Sequence, residues 1–398
     1  MSRHNGVYQL NHWTKTVSTQ MPHLTKSQAV VLALLSFSMA ACRYCGLTTI
    51  AAFAAKMLHR DENSMYKRLR EWYYDAPDKS GDQRAEINPE SCFTSLMQWI
   101  VRLWQGAQLA LVMDATSLAD RFAVLSISVA YRGFAIPVAW KILKANRSHP
   151  WQPEWLRLLD LLKLAIPEHM QVLVLTDRGL YAKELFEHIK RLGWIPFMRI
   201  NIGGYFLPEN QQQYRLLSTF APRPGTHWFG RGTAFKNKHG QLSCTLLAWW
   251  DTHSDEPWLI VSSISLEIAD PGYYSLRAWI ERGFRTTKRG GLGWHNTKMI
   301  DPQRACRLWI PISLAFLWLA SLGTQTDDAD SPLIHFTSAP DSPIPANHFG
   351  KRKRRLSIFR RGWVDFIISI FNKEFPPLLP LSPEPWPFYY RTPVGTAP

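Results

Sequence analysis

The sequence predicts an α/β protein, in which helices cover the faces of a mixed β-sheet and further helical regions precede and follow it. Residues 107–144 contain three apolar segments separated by tight turns, the pattern of an antiparallel meander. Residues 151–200 then alternate segments of helical spacing with continuous apolar runs, which is typical of buried parallel strands joined by helices. A meander followed by such alternation indicates a mixed sheet with helices on its faces.

The composition is that of a folded, basic protein. With 46% hydrophobic and 19% charged residues over 398 positions, the chain can build a large core and is not mainly disordered. Its 46 Lys and Arg against 31 Asp and Glu give a formal net charge of +15. That excess favours a polyanionic partner, either nucleic acid or an acidic membrane surface, over the alternative of a merely basic enzyme.

Cysteine usage and hydropathy exclude two classes of protein. Five cysteines, an odd number, do not form a disulfide framework, and the single C-x-x-C of Cys42 and Cys45 is interpreted as a buried pair in a helix. The apolar segments at 29–41 and 308–322 are shorter than the ~20 residues of a membrane span, and the N-terminal residues lack the pattern of a signal peptide. We therefore expect a cytoplasmic protein without a membrane partner.

The N-terminal 105 residues are predicted to be helical and to form a DNA-binding domain. Thr25 or Ser27 is placed to cap a helix over 29–41, and a second helix is expected at 47–58. A polar break at 59–64 then leads to a basic, aromatic helix at 65–74. This order is compatible with a helix-turn-helix, but any helical bundle contains such pairs, so both interpretations stay open.

Residues 106–325 are predicted to form the core domain, and residues 326–398 a C-terminal region. Within the core, residues 202–256 interrupt the alternation of helix and strand and indicate a β-rich insertion. A well-buried helix at 305–323 is expected to be bent or interrupted at Pro311. The C-terminal region is expected to comprise a linker, a basic helical segment that begins at 351–355, and a Pro-rich, extended tail.

Two carboxylates follow apolar strand segments of this core. Asp114 comes after the first strand segment, and Asp177 comes after a continuous apolar run. Each alone is more simply a solvent-facing or turn-capping residue. On neighbouring strands of one sheet, however, the two would lie within a few ångströms and would repel each other unless a cation lay between them. Oxygen ligands favour Mg²⁺ or Mn²⁺ over zinc.

A third group of polar residues lies on the helix predicted from Tyr273 onward. A regular helix, turning 100° per residue, brings four side chains within an arc of about 60° with Arg285 close by, namely Tyr274, Arg277, Glu281 and Lys288. The opposite face is apolar and is expected to pack on the sheet. The alternative is a solvated face with ordinary ion pairs, and Gly283 leaves the continuity of the helix as far as Lys288 open.

The spacing Y-x-x-R-x-x-x-E-x-x-x-x-x-x-K at 274–288 resembles the signature of a family of bacterial insertion-sequence transposases of the DDE type. The segments LALVMDATS and VLVLTDRG resemble the blocks that carry the first two acidic residues of that family. The resemblance covers about residues 107–325. It implies a ribonuclease-H-like catalytic core with a β-rich insertion between the second Asp and the Glu.

Carried over residue by residue, the resemblance implies that Asp114, Asp177 and Glu281 are catalytic and bind metal. It implies two Mg²⁺ or Mn²⁺ ions per active site. It also implies that Tyr274, Arg277 and Lys288, with Arg285 beside them, contact DNA, chiefly its phosphates.

The expected function is therefore that of a cut-and-paste DNA transposase, which binds double-stranded DNA at the element ends and at the target. It would cleave the ends and join their 3′ ends to the target, as a homodimer in the DNA complex and on the nucleoid when bound. The family also implies an aromatic platform for a flipped base, for which four residues are candidates: Trp228, Trp249, Trp250 and Trp258. Two alternatives are a catalytically inactive sequence-specific DNA-binding protein and a metal-dependent nuclease without strand transfer.

Overall fold

The computed structural model describes residues 5–80, 84–145, 150–330 and 355–387. Most of the basic run at 351–355 lies outside these ranges. The helices are α1 Asn5–Gln20, α2 Lys26–Cys42, α3 Leu47–Leu58, α4 Glu62–Arg70, α5 Glu90–Leu103, α6 Trp151–Lys163, α7 Lys183–Arg191, α8 Trp279–Arg285, α9 Pro302–Asp330 and α10 Ile358–Phe371. The strands are β1 Gln108–Leu118, β2 Phe122–Tyr131, β3 Phe134–Lys144, β4 Gln171–Thr176, β5 Ile195–Arg199, β6 Tyr205–Pro208, β7 Arg215–Leu216, β8 His227–Ala234, β9 Leu242–Trp249 and β10 Trp258–Ser262.

In the described part of the chain, ten strands form one mixed sheet in the order β3-β2-β1-β4-β5-β10-β9-β8-β6-β7. The predicted meander is confirmed, because β1, β2 and β3 pair antiparallel, and the buried run at β4 pairs parallel with β1 and β5. Strands β2 and β4 are buried along almost their whole length, so both faces of the sheet are covered there. Helices α5 and α6 pack on β3, α7 on β5, and α8 and α9 again on β3.

The segment at 202–256 is β-rich and interrupts the alternation of helix and strand, as predicted, and its strands extend the main sheet. Its last strand, β9, pairs antiparallel with β10, and β8 and β6 add on beyond it. Since β10 pairs with β5, backbone hydrogen bonds run without a break from the meander to the outer strands. The insertion is therefore anchored to the same framework that carries the two aspartates.

Helix α9 is the central helix of the protein. It continues through Pro311 as one helix of 29 residues, so the alternative that it is interrupted there is wrong. The expectation that its apolar segment is too short for a membrane span is also wrong. Over Pro302–Asp327 it is long and apolar enough to cross a membrane by length and composition, yet its most apolar window is wholly buried in this fold. The apolar side chains of α9 pack against α2, α10 and β3, which bury this helix inside the protein.

The N-terminal helices pack against this central helix. Thr25 caps α2 through a capping box, in which its hydroxyl accepts from the Gln28 backbone N–H and the Gln28 side chain accepts in return. The indole of Trp13 stacks on that of Trp318 in α9, with 3.7 Å between ring centroids. Cys42 ends α2 and Cys45 lies beyond it, so the predicted pair within one helix is wrong, and all five cysteines are free thiols.

Residues 372–387, which we call the C-terminal strap, run back across the protein after α10. Leu381 exchanges backbone hydrogen bonds with Leu103 (2.7 Å) and Gln105 (2.8 Å) at the end of α5. Further along, Trp386 is buried and packs edge-on against Tyr273 at 5.2 Å. The strap therefore joins the C-terminal region to the segment that precedes Tyr274.

Candidate active site

The register of the two central parallel strands brings Asp114 and Asp177 side by side. Met113 on β1 is the partner of Thr176 on β4, and the next residue along the chain after each of them is an aspartate. Neighbouring strands lie about 4.8 Å apart, so the two carboxylates share one edge of the sheet, as predicted. Strand β1 continues past Asp114 to Leu118, while β4 ends at Thr176 and Asp177 caps the short 3₁₀ turn that follows.

The third acidic residue comes from a segment that is not the regular helix expected. The stretch Pro271–Ala278 is 3₁₀-helical, α8 follows at Trp279–Arg285, and Thr286–Gly290 forms a π-helical turn. The 100° spacing used to predict the polar face therefore applies only to the middle of the segment. In a 3₁₀ helix residues i and i+3 are eclipsed, so Tyr274 and Arg277 still lie one above the other.

The guanidinium of Arg277 lies between the three acidic side chains. Its Nη2 is 2.9 Å from Asp114 Oδ2 and 3.4 Å from Asp177 Oδ2, and its Nη1 is 2.5 Å from Glu281 Oε1. These contacts bring Asp114, Asp177 and Glu281 together around one cationic group, although they belong to separate elements of the fold. Arg277 was expected on DNA, and here it contacts the carboxylates.

The remaining aspartate oxygens accept hydrogen bonds from the backbone. Asp114 Oδ1 accepts from the Ala115 N–H, and Asp177 Oδ1 accepts from the Arg178 N–H, each at 2.8 Å. The Tyr274 hydroxyl also donates to Asp177 Oδ1 at 3.4 Å. Both aspartates are thus held at both oxygens, while Glu281 is the most exposed of the three acidic residues.

Burial governs the electrostatics of this cluster. Desolvation raises the pKa of Asp114, with Arg277 opposing the shift and the other two carboxylates adding to it. Burial also raises the pKa of Tyr274, and the neighbouring Asp177 adds to that shift, so its hydroxyl stays protonated. Burial works against the charge of Arg277, but the carboxylates of Asp114 and Asp177 outweigh it and raise its pKa. A permanent cation therefore faces three carboxylates.

Lys288 and Arg285 lie further along the motif and do not join the carboxylate cluster. The Lys288 ammonium donates to Thr116 Oγ1 and to the Ser117 carbonyl, each at 2.6 Å, on the part of β1 beyond Asp114. Burial lowers the pKa of Lys288, and the nearby Arg289 adds to the shift. Arg285 is exposed. Sequence reasoning missed Thr116 and Ser117, although the polar residues that follow Asp114 in DATS were a visible signal.

Comparison with known families assigns the chain to a family. A model described as the transposase DDE domain matches residues 110–318, just over half of the chain. The chain belongs to the DDE transposases. The matched residues include all three acidic side chains of the cluster, and DDE transposases generally use divalent metal ions.

Other comparisons add little to this assignment. No curated protein matches the sequence of this DDE transposase. Among solved structures, the chain is similar to a piggyBac transposase in a synaptic complex with hairpin DNA, at 10% identity and a TM-score of 0.38. That likeness covers 92% of this chain and 78% of the other.

The donor set of the transposase's acidic cluster fits a hard divalent cation. Its ligands would be carboxylate oxygens alone, which suit Mg²⁺ and Mn²⁺, and they already converge on a cationic group. In the arrangement described, no group of three or more Asp, Glu, His or Cys side chains within the described ranges is spaced to hold a metal ion. The position between the carboxylates belongs to the Arg277 guanidinium.

Of the four tryptophans considered as a base platform, one lies beside the cluster. Trp258 packs edge-on against Tyr274 at 5.1 Å and lies 5.3 Å from Trp249. Trp228 packs in an aromatic group with Phe206 and Phe220. The Trp250 indole donates to the Ser254 carbonyl and so holds the turn after β9.

An ion-pair cluster beside the second aspartate was also missed from the sequence. Glu256 accepts from Arg178 at 3.0 Å and from Arg199 at 2.6 Å, which ties the residue after Asp177 to the end of β5. The three residues are up to 78 positions apart, so their sequence pattern carried no signal.

Proposed function

We propose that this transposase is a cut-and-paste enzyme of the bacterial insertion-sequence type with the Y-R-E-K signature, built on a ribonuclease-H-like core. It binds the ends of its mobile element, cleaves them with divalent metal ions and joins their 3′ ends to target DNA. The observation that carries the proposal is the convergence of Asp114, Asp177 and Glu281 on one cationic group.

In this proposal the three carboxylates are the ligands of Mg²⁺ or Mn²⁺, with two ions per site. Bound there, the ions supply activation of a water or 3′-hydroxyl and stabilisation of the leaving oxygen of a phosphodiester. The protein's own part is to fix the ligands. Backbone N–H groups orient Asp114 and Asp177 on the sheet side of the site, and helix α8 supplies Glu281 from the other side.

The DNA contacts are assigned to Tyr274, Arg277, Lys288 and Arg285. Arg285 is exposed, and the ammonium of Lys288 donates to the part of β1 beyond Asp114, which supports a run of positive groups that leads away from the acidic cluster. Each phosphodiester carries one negative charge, so such a run suits a DNA backbone. The net charge of +15 favours double-stranded DNA at both the element ends and the target.

We also propose that the N-terminal 105 residues bind DNA and that the enzyme is a homodimer in its DNA complex. Its location would be the cytoplasm, on the nucleoid when it is bound to DNA. Lys67 and Arg68 are exposed on α4, which supports the first assignment. The second follows from the reaction, since two element ends must be held together while both are cut. The core would span residues 106–325, followed by the C-terminal region at 326–398.

Amide variants test the catalytic assignment. Asp114→Asn, Asp177→Asn and Glu281→Gln should each lower Mg²⁺-dependent cleavage of element-end DNA by more than about a hundredfold. Replacing even a partner of a metal ligand costs about 10–100-fold, and these would be the ligands themselves. DNA binding, read by fluorescence anisotropy, should stay near the wild-type level.

The matched control is Asp160→Asn, which removes a carboxylate paired with His188 at 2.8 Å on α6 and α7, outside the acidic cluster. It should cut DNA as the wild type does. A near-wild-type rate for any one of the three amide variants would remove that residue from the ligand set. Cleavage without joining in a strand-transfer assay would favour a nuclease over a transposase.

A further inference from the structure

We propose that Arg277 acts as an internal cation, which pairs with the three carboxylates while no divalent ion is bound. When DNA arrives, a phosphate binds the guanidinium, and the carboxylates become free to bind the divalent ion. This inference rests on the proposed metal site. Its starting point is that one side chain contacts all three acidic residues, at 2.9 Å, 3.4 Å and 2.5 Å.

The charges explain why such a cation is needed. Three carboxylates gathered in one place repel one another, and Asp114 is also largely withdrawn from water. With Arg277 between them, the group keeps a formal net charge of −2. The guanidinium thus stabilises the arrangement of the site while the protein is away from DNA.

The same contacts put Arg277 in competition with a metal ion. Oδ2 of both aspartates faces Arg277 Nη2, and Oδ1 of both faces a backbone N–H. A divalent ion that enters between Asp114 and Asp177 meets the positive charge of the guanidinium on the oxygens that the two aspartates share with it, so the two cations compete for these carboxylates. Moving a side chain requires no change in the sheet, so Arg277 is the group that yields.

Arg277 is also incompletely satisfied where it lies. Its Nε is buried and has no hydrogen-bond partner among the described residues. A guanidinium carries five donors in a planar fork that matches a phosphate, so a DNA backbone beside the site offers it a better set of acceptors. Release from the carboxylates and capture by a phosphate would then be one movement.

This exchange couples metal binding to DNA binding. In the free protein, the ion has to compete with Arg277, so metal affinity is low. Once a phosphate holds the guanidinium, the carboxylates become available, and by reciprocity a bound metal also strengthens the hold of Arg277 on DNA. The site is therefore kept from binding metal, and from cutting, until DNA is in place.

The test measures Mn²⁺ binding to the full-length protein without DNA, by electron paramagnetic resonance of free Mn²⁺. Arg277→Met keeps an unbranched side chain but removes the charge, and it should bind Mn²⁺ about tenfold more tightly than the wild type, within the range usual for coupled sites. The matched control is Arg289→Met, which removes an exposed charge on the π-helical turn and should leave the affinity unchanged.

Thermal unfolding supplies a second reading. Without metal, Arg277→Met should melt below the wild type, because its carboxylates lack a counter-ion, and Mg²⁺ should raise its melting temperature while it leaves the wild type nearly unchanged. If Arg277→Met does not fold, Arg277→Lys replaces it, since an ammonium cannot bridge three carboxylates and should also raise the Mn²⁺ affinity.

The outcomes separate this inference from the proposed function. If Arg277→Met and the wild type bind Mn²⁺ with equal affinity, and if adding Asp114→Asn abolishes Mn²⁺ binding in both, the metal site stands and the competition with Arg277 is overturned. No Mn²⁺ binding by any of these proteins, with or without duplex DNA, would overturn the metal site and the competition together. Tighter binding that disappears in Arg277→Met/Asp114→Asn would support both.

Discussion

Gly283 is the position at which one methyl group should separate activity from stability. It lies in α8, two residues after Glu281, where the helix packs on strand β3. A Cβ added there would lie 2.8 Å from the backbone carbonyl oxygen of Ala135. That oxygen belongs to a strand within the sheet and cannot move aside as a flexible side chain could.

The magnitude follows from this distance. Ordinary carbon-to-carbonyl contacts are about 3.3–3.6 Å, so α8 must move away from β3 by roughly half an ångström in Gly283→Ala. Overpacking of this kind lowers the free energy of unfolding by about 1–3 kcal/mol, while the higher helix propensity of alanine raises it by about 1 kcal/mol. The free energy of unfolding should therefore fall by about 0–2 kcal/mol. A misplacement of 1 Å can cost about a hundredfold in rate, so half of that shift at Glu281 should slow cleavage about tenfold.

The assay pairs urea unfolding with single-turnover cleavage in Mg²⁺, at a temperature where every variant is folded. Gly203→Ala is the control, because nothing lies within 4 Å of a Cβ placed at that loop position, and both readings should match the wild type. The reasoning would be refuted if Gly283→Ala raised the unfolding free energy by about 1 kcal/mol, as for an unconstrained helical glycine, and cut at the wild-type rate.

Two further predictions concern contacts that lie outside the acidic cluster. Arg132 and Asp327 form a buried ion pair at 3.1 Å, so Asp327→Ala should lower the unfolding free energy by about 3–5 kcal/mol by leaving a buried charge behind, as measured by urea unfolding. The double variant Arg132→Met/Asp327→Leu should recover most of that loss, and no recovery would show that the pair is not the cause. Trp386→Ala should cost about 3–5 kcal/mol and also slow cleavage, because Trp386 packs on Tyr273 beside the motif, whereas Trp386→Phe should keep much of both. An unchanged cleavage rate in folded Trp386→Ala would show that the strap does not position the motif.

The sequence by itself determined the local structure and the acidic positions of this transposase. Apolar periodicity is a local property, so it predicted the meander, the buried strand that became β4 and the helices over 29–41 and 47–58, which the structure extends to Lys26–Cys42 and keeps at Leu47–Leu58. Each aspartate follows a continuous apolar run, and such runs are buried in neighbouring strands at the middle of the sheet, although β1 continues past Asp114 to Leu118 and only Asp177 follows the end of its strand. Asp114 and Asp177 could therefore be predicted to be neighbours before their register was known.

Only the tertiary structure decided what these side chains contact. The position of Arg277 in the sequence motif is equally compatible with a side chain that faces solvent, DNA or the carboxylates. It lies between the carboxylates because of where β1 and β4 lie relative to the helical segment that carries it. The 3₁₀ and π-helical turns around α8 likewise depend on packing, because their sequence has ordinary helical spacing. The insertion joined the sheet through β9 and β10, and Trp386 reached Tyr273 from 113 residues away. Contacts over such separations depend on the whole chain being folded, and no local pattern encodes them.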